Sequence, residues 1–390
     1  MNKKFILIEP CNFKDYPVGG QLTFAKQLAA VFCNEIALVG LGDEGEPIGK
    51  WFKKRLNGLE YDYFAISSYS PGIIKPKIPA RLTAYLNTRK YKKEILSLGA
   101  DSVFIQSHEI LKVALKWKLK SVCYYFPGVG MPLQTPRYPW ARYLSVLFDV
   151  WFLTGALHAD VLAAAADADA IVALKNRRGG ILKSKQVHFL STRVDTGIFK
   201  KADKSIARSK LGLRGERTIL TATGRIHPVK GWRFLLQAVA LYRESNPNCL
   251  FIYVGDGGDR KDMETEIADQ GLVDHVLITG FQPANVVARY IQAADVFLLG
   301  SQKEGWSTSL LEALACGKPI VTTRVSSAAS IVEDGVNGFV VEQNDVDGFV
   351  SAIEKARLLP DFDEYFIRET QKYSLHSLKN ALGEIWPPAK

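Results

Sequence analysis

The sequence has little of what marks secreted, metal-binding or membrane-spanning proteins. Its 390 residues contain five cysteines, which are scattered and lack zinc-type spacing, so they fit a reducing cytoplasm and argue against a metal site. No uninterrupted apolar run reaches the roughly eighteen residues that a spanning helix requires. The apolar run near the N-terminus, Phe5 to Ile8, is too short for a signal peptide and is predicted as a first β-strand.

The chain does contain enough apolar material for two hydrophobic cores. A length of 390 residues suits two domains, and 47% of the residues are hydrophobic. Strand-like segments alternate with helical patterns, which predicts an α/β protein with parallel sheets. Residues 170–173 are predicted as one of the strands. Residues 43–60 are predicted as a charged, turn-rich connection and residues 67–81 as an exposed loop.

Positive charge is concentrated in the first half of the chain. Residues 1–200 hold 28 Lys and Arg against 16 Asp and Glu, whereas the remainder holds 22 against 24. A basic half favours an acidic partner such as an anionic membrane surface or a lipid pyrophosphate, with solubility as the plain alternative. Because no nucleic-acid-binding motif accompanies the charge, no nucleic-acid partner is predicted.

The apolar, aromatic stretch at residues 138–166 has two interpretations. Asp149 interrupts it, so it is not predicted to span a membrane. The favoured interpretation is a buried helix on the side that faces the other domain. The alternative is that its Trp and Phe side chains, with Arg137 and Arg142 nearby, enter a membrane interface.

The most informative stretch is residues 297–319, where a strand leads through a polar loop into a helix. Ser307, Thr308 and Ser309 are candidate N-cap residues, and Leu310 begins the apolar face of the helix. The N-terminus of a helix offers unpaired N–H groups and a partial positive charge, so it suits a phosphate.

Two carboxylates flank this helix start. Glu304 lies in the loop and Glu312 in the second helical turn. With a diphosphate at the helix start, Glu312 can accept hydrogen bonds from a ribose and Glu304 from a sugar. This arrangement fits a nucleotide-sugar, whose diphosphate lies between two polyols.

Further ligand-binding loops are predicted at the ends of neighbouring strands. Gly224, Arg225 and Lys230 form a strand-to-helix turn whose two cations suit a diphosphate, because phosphate favours charge-assisted donors. Gly280 and Phe281 end another strand. Since open α/β sheets bind ligands at the carboxyl ends of their strands, these loops and the 301–312 segment are expected to form one site.

These motifs resemble those of a known family. The run E-G-W-S-T-S-L-L-E-A-L-A-C-G-K-P-I-V at residues 304–321 resembles the E-x7-E signature of retaining glycosyltransferases of family 4, which have the GT-B fold. The run G-R-I-H-P-V-K-G at residues 224–231 is similar to the family's G-R-x-x-x-x-K-G motif. The resemblance implies an α/β fold of two Rossmann-like parallel-sheet domains facing across a cleft. It predicts an acceptor domain at 1–197, a donor-binding domain at 198–365, and a C-terminal helix at 366–390 that returns to the first domain.

The resemblance also implies roles for individual residues. Arg225, Lys230 and Glu304 are the expected catalytic residues, the two cations binding the diphosphate and stabilising its departure. The expected donor-binding residues are Gly19, Gly20, Gly224, Gly280, Phe281, Ser307, Thr308, Ser309, Leu310 and Glu312. His108 and Gly128 are candidates for the acceptor side.

The sequence departs from the family pattern in two segments. Tyr125 to Gly128 stand where many members have T-x-H-G. Ser326 and Ser327 replace a glycine pair, and Ser330 replaces a glutamate. The first departure removes the family's histidine, and the second bears on the identity of the donor.

The expected reaction is transfer of a hexose from a UDP- or GDP-sugar to an acceptor hydroxyl, with retention, in assembly of bacterial cell-surface polysaccharide or glycolipid. No carboxylate nucleophile stands out, so a front-side route stabilised by cations and helix amides is expected. No D-x-D-like element accompanies the site, so neither an obligate metal nor a further cofactor is predicted. The expected location is the cytoplasm, or the inner face of the membrane as a peripheral protein. The alternatives are an epimerase, a phosphorylase or a non-catalytic nucleotide-sugar-binding protein on the same fold.

Overall fold

The computed structural model of the protein describes residues 3–17, 19–69, 80–131, 139–213, 217–360 and 363–390. The chain divides into two compact units. The first contains residues Met1–Thr192 and His376–Lys390, and the second contains Arg193–Leu375. Of the predicted exposed loop at residues 67–81, residues 70–79 lie outside the described set.

The first unit is built on an eight-stranded sheet. Its strands are β1 (Ile6–Ile8), β2 (Ala37–Gly42), β3 (Trp51–Leu56), β4 (Leu59–Ser68), β5 (Ser102–Ile105), β6 (Ser121–Phe126), β7 (Val161–Ala164) and β8 (Val187–Phe189). They lie in the order β3-β4-β2-β1-β5-β6-β7-β8. All neighbouring pairs are parallel except β3 with β4. The residues of β1 are completely buried, as expected for a central parallel strand covered on both faces.

Helices of the described residues connect these strands. They are α1 (Gly20–Phe32), α2 (Ala80–Lys90), α3 (Lys92–Leu96), α4 (His108–Ala114), α5 (Ser145–Ala156) and α6 (Ala168–Gly180). Short 3-10 turns occur at Cys33–Glu35 and Pro139–Leu144. The order of strands reverses at β1, which pairs with β2 on one side and β5 on the other. Such a switch point is where ligands bind in open α/β sheets.

Two predictions about the first unit are wrong. Residues 43–60 are not merely a connection, because they contain β3 and the start of β4, an antiparallel hairpin that turns at Asn57 and Gly58. The charged sequence of β3 concealed the strand, although Lys54 is buried and forms ion pairs with two acidic side chains. Residues 170–173 are helical rather than extended, because Asp167 caps α6 by accepting a hydrogen bond from the Ala170 N–H at 2.7 Å.

Of the apolar stretch at residues 138–166, the described part from residue 139 onward forms a 3-10 turn, α5 and β7 rather than a single helix, whereas residue 138 and Arg137 lie outside the described residues. One face of α5 is buried, including Asp149 and Phe152, whereas Leu147 is exposed on the other. Asp149 forms ion pairs with Arg177 at 3.1 Å and Arg178 at 3.0 Å. The helix therefore combines the buried face that was predicted with an exposed apolar face.

The second unit has a six-stranded, fully parallel sheet. Its strands are β9 (Thr218–Thr223), β10 (Cys249–Val254), β11 (Val276–Ile278), β12 (Val296–Leu299), β13 (Ile320–Thr323) and β14 (Gly338–Val341), in the order β11-β10-β9-β12-β13-β14. Its helices are α7 (Lys204–Lys210), α8 (Trp232–Ser245), α9 (Arg260–Asp269), α10 (Ala284–Ala293), α11 (Thr308–Ala315), α12 (Ala328–Ile331), α13 (Val346–Arg357) and α14 (Asp363–Lys372). A 3-10 turn at Pro228–Lys230 precedes α8. The switch point lies between β9 and β12.

The C-terminal segment belongs to both units. Phe366 of α14 is buried in the core of the second unit. The final helix α15 (Ser377–Ile385) packs against α1 of the first unit and is followed by a 3-10 turn at Pro387–Ala389. The unit boundaries therefore fall after residues 192 and 375, whereas the sequence predicts them after 197 and 365.

No helix in the described part of the chain is both long and apolar enough to cross a membrane.

We expect Trp386→Ala to destabilise the first unit by about 3–5 kcal/mol, the usual cost of removing a buried aromatic side chain. Trp386 is completely buried against Phe5, with ring centroids 4.9 Å apart, and its indole N–H donates to the Ser121 hydroxyl at 2.7 Å. Urea unfolding measures the effect. Trp151→Ala, on the partly exposed face of α5, is the matched control, and equal losses in the two variants would contradict this packing.

Candidate active site

Loops of the second unit contact one another through their backbones at the switch point. Gly231, which links the turn after β9 to α8, has φ +64°, and a Cβ there would overlap the Gly300 carbonyl after β12. A Cβ on Gly255, after β10, would overlap the Gly224 carbonyl in the same way. The Gln302 N–H also donates to the Val229 carbonyl at 2.9 Å. Only glycine allows this approach, which fixes the basic turn beside the loop that carries Glu304.

The two sequence-predicted residues Lys230 and Glu304 form an ion pair. The Lys230 Nζ lies 2.6 Å from Glu304 Oε1, and the Ser301 hydroxyl donates to the same oxygen at 2.7 Å. Ser301 is held in turn by Thr323, whose hydroxyl donates to the Ser301 carbonyl at 2.6 Å. Both partners of the ion pair are partly buried. A phosphate group binding here would compete with Glu304 for the Lys230 ammonium.

Arg225 provides a second cation in the same turn. Its side chain is exposed and forms no hydrogen bond or ion pair with another described residue, whereas its carbonyl accepts a bond from the Tyr253 hydroxyl at 3.3 Å. Its neighbour Gly224 has φ +139° and open space beside its Cα. The guanidinium is therefore available to an anion at this edge of the sheet.

The helix start predicted to bind phosphate is present as the first turn of α11. Ser307 is the N-cap residue but makes no side-chain capping bond, and its hydroxyl lies 3.0 Å from that of Ser309. Thr308 is the first helical residue. The first-turn N–H groups of α11 thus lack a side-chain cap. Leu310 is completely buried, so its side chain belongs to the core and only its backbone can contribute to a site.

Two serines that the sequence analysis treated as departures support this loop. The Ser327 hydroxyl accepts a hydrogen bond from the Ser307 N–H at 3.1 Å, and the Ser326 hydroxyl donates to the Gly305 carbonyl at 2.6 Å. A glycine pair could form neither bond. The hydrogen bonds of Ser326 and Ser327 therefore connect the loop that carries Glu304 to the segment that follows β13.

Glu312 is not part of the ion pair between Lys230 and Glu304. It is partly buried on α11, and its carboxyl group forms no hydrogen bond or ion pair with the described residues. Burial raises its pKa to about 8. At neutral pH the carboxyl group is mostly protonated, so it can donate as well as accept a hydrogen bond with a ligand hydroxyl.

Gly280 and Phe281 follow β11 at the same edge of the sheet. Gly280 is buried with φ +71°, and Phe281 is 83% exposed. Such a large exposed aromatic ring offers a flat apolar surface on which a base can stack.

The remaining predicted residues belong to the first unit. Gly19 and Gly20 form the start of α1, and Gly128 follows β6; each has open space beside its Cα. His108 begins α4 and is buried edge-on against Phe152, with ring centroids 4.3 Å apart. Burial, followed by the charges of Arg81 and Arg177, lowers its pKa to about 3, so the imidazole is neutral. It is a core residue rather than a solvated loop histidine.

Glu9 is a candidate that sequence reasoning missed. It follows β1 at the switch point of the first sheet, is only 3% exposed, and accepts hydrogen bonds from the Ser107 hydroxyl at 3.2 and 3.3 Å. Burial raises its pKa to about 8, although Arg81 and Ser107 oppose that rise. The available signal was a lone glutamate directly after an apolar strand.

Within the described ranges, no group of three or more His, Cys, Asp or Glu side chains is close enough to hold a metal ion.

Comparison with known proteins identifies the fold and gives a family match over part of the chain. HepE from Anabaena, solved in complex with UDP-glucose, matches 97% of this chain and 98% of its own with a TM-score of 0.69 at 18% identity. The chain thus has the GT-B fold. Residues 203–373, which contain Lys230, Glu304 and α11, match the family described as Glycosyl transferases group 1.

Curated relatives match over part of their length. Alpha-D-kanosaminyltransferase from Streptomyces kanamyceticus is 29% identical over 218 residues, which cover 54% of this chain and 56% of the relative. UDP-Gal:alpha-D-GlcNAc-diphosphoundecaprenol alpha-1,3-galactosyltransferase from Escherichia coli is 31% identical over 146 residues, 37% of each chain. The matched regions thus span less than two thirds of either relative.

We expect the stability conferred by Glu9 to fall as the pH rises. Its pKa is about 8 in the folded protein against an ordinary value of 4.5, so the folded state retains a proton that the unfolded state loses between these values. The contribution of Glu9 to the free energy of unfolding is therefore at its full value below pH 4.5. It declines by up to about 1.4 kcal/mol per pH unit toward pH 8. Glu9→Gln should lack this decline.

Urea unfolding at pH 5, 6.5 and 8 measures the difference between Glu9→Gln and the wild type. The exposed Glu60→Gln serves as the control for an amide replacing a carboxylate. Loss of the Ser107 interaction alone would give a difference that is the same at every pH, and that outcome would contradict a protonated Glu9.

Proposed function

We propose that this protein is a retaining glycosyltransferase that moves a sugar from a nucleotide-sugar to an acceptor hydroxyl. The observation that carries the proposal is the Lys230–Glu304 contact of 2.6 Å, beside α11 at the carboxyl edge of the second sheet. A cation, a carboxylate and uncapped helix amides are the groups that a diphosphate attached to a sugar requires. The match of residues 203–373 to the glycosyl transferase group 1 family supports the same activity.

UDP is the nucleotide that we propose for the donor. The E. coli relative is named for UDP-Gal, and HepE was solved with UDP-glucose. In this chain, Phe281 would stack on the base, Glu312 would hydrogen-bond the ribose, and Arg225 and Lys230 would bind the diphosphate. The backbone at Ser307, Thr308 and Ser309 would contribute the helix amides.

The mechanism that we propose is a front-side displacement. The bond between the anomeric carbon and the diphosphate oxygen breaks as the acceptor oxygen forms a bond on the same face, and the acceptor proton passes to the departing diphosphate oxygen. Arg225 and Lys230 stabilise the negative charge that develops on the leaving group. Glu304, released from Lys230, accepts hydrogen bonds from the sugar hydroxyls. The route uses neither a protein nucleophile nor an obligate metal.

The first unit supplies the acceptor side in this proposal. Open backbone at Gly19, Gly20 and Gly128 leaves room for a ligand at the carboxyl edge of its sheet. The mostly protonated Glu9 carboxyl could donate a hydrogen bond to an acceptor hydroxyl, with Ser107 as its support. A lipid-linked glycan is the acceptor class we favour, in line with the diphosphoundecaprenol in the name of the E. coli relative.

An anionic membrane surface fits the exposed face of α5 and the turn before it. Tyr143 and Leu147 are exposed there, Leu147 to 70%, and Trp151 is partly exposed with the Lys112 ammonium 5.3 Å from its ring centroid. A cavity of about 250 Å³ on the same unit is lined by Lys112 together with Arg89, Lys92 and Lys116. Apolar side chains beside a cluster of cations suit a bilayer that carries acidic lipids.

We expect Lys230→Ala to weaken UDP binding by about tenfold or more, because a charge-assisted hydrogen bond typically contributes about 1.5–3 kcal/mol. Sugar transfer should fall further, by roughly 10²–10³, since the lost charge stabilises the transition state. Calorimetric titration with UDP and GDP and UDP release from UDP-sugars measure these effects, and proton NMR of the product reports the anomeric configuration.

Lys303→Ala removes a similar charge from the exposed neighbour of Glu304 and is the matched control. It should bind UDP as the wild type does. Equal UDP affinity in the Lys230 and Lys303 variants would exclude the proposed diphosphate site, and a product of inverted configuration would exclude the front-side mechanism.

For the membrane surface, we expect Leu147→Gln to reduce binding to phosphatidylglycerol vesicles several-fold without lowering the melting temperature, because the side chain is exposed. Leu358→Gln is the control, since Leu358 is 84% exposed on the second unit. Vesicle sedimentation at low and high salt measures binding, which salt should weaken. Undiminished binding by Leu147→Gln would refute docking through this face.

A further inference from the structure

A large cavity lies at the edge of the second sheet opposite the proposed donor site. It has a volume of about 1020 Å³ and is lined by the ends of α7 and α13 and by residues just before β9, β12, β13 and β14. Because all six strands are parallel, this amino edge is separate from the carboxyl edge that carries Lys230 and Glu304. The volume suits a small organic molecule.

The lining is strongly basic. Among the described residues, its charged side chains comprise two carboxylates, Asp203 and Asp295, and six cations, namely Lys201, Lys204, Arg208, Arg217, Lys318 and Arg357. A cavity of this kind attracts anions, since walls of low dielectric constant focus the field of the cations.

Both carboxylates already have partners. Asp295 forms ion pairs with Lys204 and Arg208, each at 2.7 Å, and accepts a hydrogen bond from the Ile219 N–H at 2.8 Å. Asp203 caps α7 by accepting from the Ile206 N–H at 2.8 Å. Asp295 thus serves two cations and Asp203 serves the helix cap, so the described lining has more cations than carboxylates.

Lys318 is the side chain that this arrangement leaves without a partner. It is only 8% exposed, yet its ammonium forms no hydrogen bond or ion pair with any residue in the described part of the second unit. Burial and then the charges of Lys204 and Arg208 lower its pKa to about 8, although Asp295 opposes this shift, so it remains mostly protonated at neutral pH. The side chain as a whole is buried, but the ammonium is not among the fully buried atoms that lack a partner, so it is accessible from the cavity, where a bound anion would pair with it.

We propose that this cavity is a binding site for a small molecule that carries a phosphate group, held by Lys318 with Lys204 and Arg208. Phosphate is the anion that best fits several convergent donors, because each of its oxygens accepts charge-assisted hydrogen bonds. The site is independent of the proposed donor site, which lies at the other edge of the sheet and uses different residues.

Inorganic phosphate and glycerol 3-phosphate are the probes for this site. Each is titrated against the full chain at constant ionic strength, with calorimetry for affinity and thermal unfolding for stability. We expect Lys318→Met to weaken binding of both by about tenfold or more. Without ligand, Lys318→Met should melt at the same temperature as the wild type or higher, because it removes a buried charge and retains the stem.

Three further variants make the result decisive. Lys261→Met removes an exposed lysine from the same unit and should bind both probes as the wild type does. Lys204→Met should weaken binding while Arg208 still pairs with Asp295. Lys230→Ala separates binding here from phosphate binding at the donor site, and the Lys318 dependence should persist in that background.

Two results would overturn the proposal. The first is equal affinity of Lys318→Met and Lys261→Met for both probes, or no binding by the wild type. The second is a lower melting temperature of ligand-free Lys318→Met, since that would make Lys318 a structural residue with a partner. Neither result would bear on UDP binding at Lys230.

Discussion

The site of the second unit depends on the direct backbone contact between Gly231 and Gly300. Because no side chain separates these residues, the backbones of the turn after β9 and the loop after β12 lie in direct contact, and the hydrogen bond from the Gln302 N–H to the Val229 carbonyl joins them. The contact brings Lys230 within 2.6 Å of Glu304 and leads the chain into α8, whose Trp232, Leu235 and Leu236 are buried in the core. A Cβ on Gly231 would overlap the Gly300 carbonyl, and one on Gly300 would press against the buried Leu235 side chain, so a side chain at either position would disturb this contact or the core beside it.

The two carboxyl groups of the proposed donor site differ in charge because their surroundings differ. Glu304 is paired with Lys230 and with the Ser301 hydroxyl. Burial raises the pKa of Glu312 to about 8, so it remains mostly protonated at neutral pH. The resulting site is rich in cations and hydrogen-bond donors and poor in bases, which suits a reaction whose leaving group accepts the acceptor proton.

Local motifs allowed much of the second unit to be predicted from sequence. The turn from Gly224 to Gly231 and the segment from Glu304 to Glu312 are each short, so spacing alone indicates which side chains lie together. Contacts between distant segments were not predictable. The Ser327–Ser307 bond and the position of Lys318 near Arg208 both depend on how separate strands pair.

The first unit was harder to predict because its sequence patterns are ambiguous. The hairpin of β3 and β4 has a charged strand whose Lys54 is buried only because Asp43 and Glu46 neutralise it. Glu9 became a candidate only when burial and Ser107 were known. His108, which the sequence offered as a site residue, is packed among aromatic rings. The roles of the predicted site residues remain proposals.

A crystal structure of the protein with UDP would test the central claim most directly. We predict the diphosphate against the Lys230 ammonium and the first turn of α11, the base beside Phe281, and the ribose within hydrogen-bonding distance of Glu312. In that structure the ion pair between the Lys230 ammonium and Glu304 Oε1 should be broken. UDP bound elsewhere, with the Lys230–Glu304 pair intact, would contradict the proposed donor site.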